Sequence, residues 1–253
     1  SDQNTFQSLD TAIINNYVLP PPLSSDVHKI FRNDTSTTVT FNYKDSIRRD
    51  INNGTAIVNF LGHAGYENWG DGMQDPGTLE NYGKFPFIMS MTCYTGKNAD
   101  PTQRTFGERY VNMLDRGTVG FIGCSGWGWL ISQSNMQTGM YDAIANDTLR
   151  RFGEILNRGK FALIQDSTQS TVRHTVNSYG LLGDPAVKLC IPRVPEYSIS
   201  SADYKMSNTF PEMNQPLTLT IYPKNVGLFS DSCKIRFTLK KNGAAASTKD
   251  TVL

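Results

Sequence analysis

Through residues 1–193 short apolar runs alternate with stretches of helical spacing, and beyond that the chain changes to a two-residue period. Residues 45–51 (D-S-I-R-R-D-I) place Ile47 and Ile51 on one helical face, and Asn53-Gly54 supplies the stop. Thr55–Leu61 (T-A-I-V-N-F-L) and Phe85–Met91 (F-P-F-I-M-S-M) are nearly continuous apolar runs, the pattern of strands covered on both faces. Arg104–Leu114 has Phe106, Tyr110, Val111 and Leu114 at helical spacing, and Gly117–Gly123 reads as a third strand. Met136–Ala162 predicts a long helical region interrupted near Gly153. Tyr179–Leu189 predicts a closing strand broken by Gly-Asp-Pro. Strand and helix in alternation predict an α/β domain with a mainly parallel sheet.

The change comes at Pro192–Pro195. Leu217–Pro223 and Lys234–Leu239 alternate with period two, and Asn225–Gly227 and Asn242-Gly243 are turn signals. This is a β-sandwich pattern, and residues 194–253 fall short of the ~100 residues of an immunoglobulin-like fold. The expected organisation is a domain over 1–193 and the start of a sandwich over 194–253.

Composition narrows the function classes. The formal net charge is +1 with both signs interspersed, so no basic face for nucleic acid stands out. No apolar run is long enough for a membrane span, and residues 1–10 lack the basic start and apolar stretch of a signal peptide. The 4 cysteines form no C-x-x-C pair and no zinc-like cluster, so no metal site is assigned. With only 3 histidines, His28, His63 and His174, any cysteine–histidine chemistry has few choices.

Three strands in a row end in loops of reactive or permissive residues. They are Gly62-His63-Ala64-Gly65, Thr92-Cys93-Tyr94-Thr95-Gly96, and Cys124-Ser125-Gly126-Trp127-Gly128-Trp129. Sites in open α/β sheets form outside the carboxyl ends of strands, so neighbouring strands would bring His63, Cys93 and the tryptophan loop to one rim. An imidazole beside a thiol generates the thiolate and later protonates a leaving amine. Plainer roles also fit: Cys93 as a small buried hydrophobe, His63 as a turn residue, Trp127 and Trp129 as core.

Residues 51–71 (I-N-N-G-T-A-I-V-N-F-L-G-H-A-G-Y-E-N-W-G-D) resemble the histidine motif of the gingipain family of cysteine peptidases, where G-H-G follows a hydrophobic strand and a Trp comes soon after. Residues 85–96 (F-P-F-I-M-S-M-T-C-Y-T-G) resemble that family's nucleophile strand. F-G-E-R-Y-V-N (106–112) resembles the following helix, and G-T-V-G-F-I-G-C-S-G-W-G-W (117–129) the strand and loop beside the S1 pocket. G-L-L-G-D-P-A-V-K-L (180–189) is similar to the G-D-P strand near the end of the peptidase domain.

The resemblance implies a caspase-like three-layer αβα sandwich followed by a truncated immunoglobulin-like domain. It implies Cys93 as nucleophile, His63 as general acid/base, and an oxyanion hole from the N–H groups of Cys93 and Ala64. It makes Trp127, Trp129 and Ser125 candidates for the substrate pocket. It further implies a polypeptide substrate and no required cofactor, with calcium allowed but unassigned. The expected location is secreted or at the cell surface, associated with the outer membrane and with type IX secretion. A sortase-like variant would pass the acyl group to an amine, and an inactive scaffold in a secretion or surface complex is the alternative. Two departures stand out. Ala64 replaces the family's glycine, costing roughly 1 kcal/mol or more if that position needs positive φ. The family's first subdomain and the acidic residue orienting its histidine have no counterpart before Ser1, so the chain reads as a fragment. A missing amino-terminal segment or propeptide is the expected partner, covering an exposed sheet edge. Glu67, Asp71 and Asp75 are the nearby carboxylates. Asp184, Asp75 and Asp100 precede prolines and read as turn residues. His28 and His174 fall in no motif and read as structural.

Overall fold

The computed structural model describes residues 2–31, 43–70, 75–165, 169–210, 212 and 215–252. The chain divides into two units, one of residues 1–20 and 25–191, the other of residues 21–24 and 192–253.

The first unit is built on a four-stranded sheet, β1 (Ile57–Leu61), β2 (Phe87–Met91), β3 (Gly120–Cys124) and β4 (Tyr179–Gly183), in that spatial order. β1, β2 and β3 are mutually parallel, and β4 runs antiparallel to β3. Every residue of β2 and β3 is buried, as the continuous apolar runs require. Adjacent side chains of β2 point to opposite faces. Ile88 enters a cluster with Ile47, Ile51, Trp69, Phe106, Tyr110 and Phe121, and Phe87 stacks on Phe152 with ring centroids 3.9 Å apart. α2 (Tyr43–Asn53) and α3 (Phe106–Val111) therefore cover one face. α5 (Phe152–Gln165), packed against α4 (Leu130–Ala145), covers the other. The result is a mixed α/β fold with helices on both faces of the sheet.

Several boundaries differ from the sequence expectation. The helix expected over Arg104–Leu114 is shorter. Glu108 Oε2 accepts from Thr105 N at 2.8 Å to start it, and Asn112 caps it, leaving Leu114 84% exposed. The region expected as one helix interrupted near Gly153 is two helices joined by residues 146–151. There Thr148 has φ 54°, and the buried Arg150 guanidinium donates to the carbonyls of Ile144, Leu149 and Ile191. Gly153 sits inside the first turn of α5, where a Cβ would lie 2.8 Å from Pro185 Cβ; it serves a close approach, not a break. The last strand stops at Gly183, because Asp184 Oδ1 takes the Ala186 N–H in a turn. Two helices had no counterpart in the expectation: α1 (Asp2–Ile13), running into a π turn at Ile14–Val18, and α6 (Ser170–Ser178).

Among the described residues of the second unit there are three separate antiparallel pairs. β5 (Tyr197–Ser198) pairs with β8 (Lys224–Asn225), and β6 (Tyr204–Met206) with β7 (Leu219–Ile221). β9 (Lys234–Lys241) pairs with β10 (Ala244–Val252). Asn242 and Gly243 turn the last hairpin with φ of 52° and 83°, the left-handed pair that a tight two-residue loop demands.

Candidate active site

The parallel register pairs Leu61 with Met91 at the ends of β1 and β2. One residue further on, Thr92 Oγ1 donates to the Gly62 carbonyl at 2.6 Å, carrying the alignment past the strand ends. His63 and Cys93 are the next residue on each chain. Both are reachable: His63 is exposed and Cys93 half-buried. They emerge from neighbouring strands at the same rim.

The loop carrying His63 folds back on itself. Ala64 bridges Trp69, and Gly70 N donates to the His63 carbonyl at 2.6 Å. Trp69 anchors this hairpin, with its ring stacked on Phe60 and its Nε1 donating to Ser90 Oγ at 2.9 Å. Ser90 Oγ lies 3.0 Å from Thr95 Oγ1, so one buried chain of polar groups links the histidine hairpin to the nucleophile loop. Among the described residues Ala64 is not one with positive φ, so an alanine fits there without left-handed strain. The strain lies beside the cysteine instead: Tyr94 has φ 57°. Phe6 of α1 meets the His63 imidazole in a T-shaped contact, with centroids 5.1 Å apart.

The loop after β3 arches over Cys93. Tyr94 N donates to the Gly126 carbonyl at 2.9 Å, Gly96 N to the Cys124 carbonyl at 2.9 Å, and Gly128 N to Cys93 Sγ at 3.2 Å. Gly96 and Gly123 touch so closely that a Cβ on Gly96 would lie 2.7 Å from the Gly123 carbonyl. Trp127 and Trp129 are 65% and 49% exposed, which rules out the core-packing role for both; Ser125 is exposed as well. Trp127 meets Tyr94 edge-on and Tyr94 stacks on Tyr66, forming an aromatic wall beside the cysteine. Lys97 closes that wall. Its Nζ donates to Tyr66 Oη and to Asp100, which raise its affinity for the proton and keep it charged.

Burial pushes the Cys124 thiol up, so this second sulfur stays protonated, with Sγ 3.2 Å from Ser178 Oγ. All four cysteines are free thiols. Of the carboxylates near His63 in sequence, Asp75 caps a short 3-10 turn by accepting from Gly77 N, and Glu67 is exposed; Asp71 lies outside the described residues. Asp100 accepts from Thr102 N and Oγ1, which hold its carboxyl down at about 2. Among the described residues no group of three or more His, Cys, Asp or Glu side chains converges to hold a metal ion. No described helix is long and apolar enough to cross a membrane.

His174 is the residue that sequence reading passed over. Its Nε2 lies 3.0 Å from the Trp127 carbonyl, against the loop that covers Cys93.

The family model for peptidase family C25 matches residues 2–190. The crystal structure of the Arg-specific cysteine proteinase gingipain R is similar at TM-score 0.55 and 18% identity, over 82% of this chain and 47% of that one. The complex of Porphyromonas gingivalis RgpB pro- and mature domains is similar at TM-score 0.54 and 18% identity, over 82% and 48%. At that identity the likeness speaks for the fold, and the chain spans about half the length of these structures. No curated protein sequence matches the chain.

Proposed function

The chain belongs to peptidase family C25, the gingipain family, and from that premise we propose that it is a cysteine endopeptidase in which Cys93 and His63 form the catalytic dyad. One observation carries this reading. The in-register ends of β1 and β2, tied by Thr92 Oγ1 to the Gly62 carbonyl, lead into His63 and Cys93 at one accessible rim, which supports their pairing.

In this mechanism His63 takes the thiol proton and Cys93 Sγ attacks the scissile carbonyl carbon. The oxyanion forms between the N–H groups of Cys93 and Ala64. The tetrahedral intermediate expels the amine, which leaves with the proton from His63, and a thioester remains on Cys93. Water, deprotonated by His63, then attacks the thioester. A second oxyanion collapses, the acid product departs, and Cys93 regains its proton. No cofactor is needed in these steps. Trp127, Trp129 and Ser125 line the substrate side, where exposed aromatics offer apolar contact to a peptide. An amine in place of water gives the sortase-like variant. A propeptide as partner accords with the similarity to a pro- and mature-domain complex, and the proposed location is secreted or cell-surface. Residues 194–253 are read as immunoglobulin-like β structure.

The test is turnover of a peptide library by wild type, Cys93→Ala and His63→Ala. Abolished cleavage in the first variant and near-abolished cleavage in the second are expected; unchanged turnover in either refutes the dyad. Products formed with an added amine acceptor separate transfer from hydrolysis. An inactive scaffold is the second reading, favoured by the Phe6 ring that packs perpendicular against the imidazole. It predicts that iodoacetamide labels Cys93 no faster than the exposed Cys190.

A further inference from the structure

The loop between β3 and α4 is fastened on two sides in strict alternation. Ser125 N donates to the Ser178 carbonyl at 2.8 Å, on α6. The Gly126 carbonyl accepts from Tyr94 N at 2.9 Å, on the nucleophile loop. The Trp127 carbonyl faces His174 Nε2 at 3.0 Å, again on α6, and Gly128 N donates to Cys93 Sγ at 3.2 Å. His174 and Ser178 are one helical turn apart, so a single face of α6 makes both outer contacts.

The last two contacts share one peptide unit. The Trp127 carbonyl and the Gly128 N–H belong to the same plane, linked by a bond with partial double-bond character. A carbonyl oxygen can only accept, so His174 Nε2 carries the hydrogen, and it does so whether the ring is neutral or protonated. A donor on the carbonyl draws electron density from the amide nitrogen and makes its N–H a stronger donor. That N–H points at the sulfur, where it favours the anion over the neutral thiol. The carbonyl's other neighbour is the Cys124 thiol at 3.6 Å, a weaker donor at a longer distance. A Cβ at Gly126 would meet Nε2 and Cε1 of His174 at 3.4 Å, an ordinary contact, so His174 packs directly on this loop.

We propose that His174 is a positioning residue for the Cys93 thiolate: its Nε2–H grips the Trp127 carbonyl and so holds the Gly128 N–H on the Cys93 sulfur. The assignment rests on Cys93 being the nucleophile. It gives the site a second histidine that touches neither the substrate nor the sulfur and acts through a backbone amide.

The experiment reads the thiol directly. Wild type, His174→Ala and His174→Gln are labelled with iodoacetamide from about pH 5 to about pH 9, and mass spectrometry quantifies the Cys93 and Cys190 peptides in the same sample. Below the wild-type midpoint, His174→Ala is expected to label Cys93 about tenfold more slowly relative to Cys190, with the midpoint moved up. His174→Gln, whose amide can still donate, is expected to recover most of that loss. Coincident profiles for wild type and His174→Ala overturn the proposal, and so does an equal loss in His174→Gln. If His174→Ala does not fold, His174→Met against His174→Gln decides the same question, since Met has length without a donor. Turnover plays no part in this measurement. Failure of the dyad appears as cleavage surviving Cys93→Ala; failure of the positioning role appears as overlapping profiles in a protein that Cys93→Ala inactivates.

Discussion

Replacing Asp10 with Asn is expected to stabilise the protein at neutral pH and to flatten its stability across mildly acid pH. Asp10 lies on α1, between the edge strand β1 and α4, where its Oδ1 accepts from Asn59 Nδ2 at 3.1 Å and Gln137 Nε2 at 2.9 Å. Burial outweighs those two donors and pushes its pKa from 3.8 to about 6. The same negative charge, added to burial, raises the Tyr141 phenol. The sign follows from comparing folded and unfolded chains. Below 3.8 the carboxyl is protonated in both, and the folded state carries no penalty. Between 3.8 and about 6 the unfolded chain ionises first, so stability falls as pH rises, and above that window the loss is constant. At 1.36 kcal/mol per pH unit the full window is worth about 3 kcal/mol. The side chain keeps some solvent contact, which screens the charge, so about 2 kcal/mol is the expected loss. Asn cannot ionise, and its oxygen can accept from the same two amides. Asn59 Oδ1 and Gln137 Oε1 are buried without a hydrogen-bond partner, so turning either amide over also offers an acceptor to an amide at position 10. Urea denaturation followed by circular dichroism at a series of pH values from about 4 to about 8 measures both curves. A variant that keeps the wild-type slope through this window, or loses stability at neutral pH, refutes the reasoning. Because Phe6 sits one turn before Asp10 and meets the His63 ring, the same titration loosens a helix that borders the site.

Thr92→Val keeps the shape of a fully buried side chain but removes the bond from Oγ1 to the Gly62 carbonyl. Steady-state kinetics should show kcat reduced about tenfold with KM little changed, since only the alignment of the two strand ends is lost. Arg150→Met leaves three carbonyls without the guanidinium that joins residues 144, 149 and 191. Urea denaturation should show a loss of about 2–4 kcal/mol, and a neutral outcome would mean that relief of the buried charge offsets the lost bonds. Trp69→Phe removes the donor to Ser90 Oγ and part of a ring that is 2% exposed. It should cost about 2 kcal/mol in thermal or urea denaturation, and turnover should fall because the same ring anchors the histidine hairpin.

What the sequence made legible depended on where each residue's partner lies. β2 and β3 are buried on both faces, so nearly every letter is apolar and the strands announce themselves. α1 was invisible because, among its described side chains, only Phe6 and Ile13 are buried, and α6 because two of its three buried residues, Thr175 and Ser178, are polar. The tryptophans were readable as residues but not as surface, since exposure is decided by the loop's anchorage and not by the letters themselves. His63 and Cys93 could be matched to each other, because both carry reactive side chains at the ends of predicted strands. His174 had no such mate. Its partner is a backbone carbonyl far upstream, a group that every residue possesses and that leaves no mark in the sequence. The same holds for the Gly128 N–H on the sulfur, where the glycine shows that space was needed but not that a donor was aimed. Side chains that act on the backbone are therefore the part of a site that only coordinates reveal, and here they surround the one thiol whose ionisation the chemistry requires.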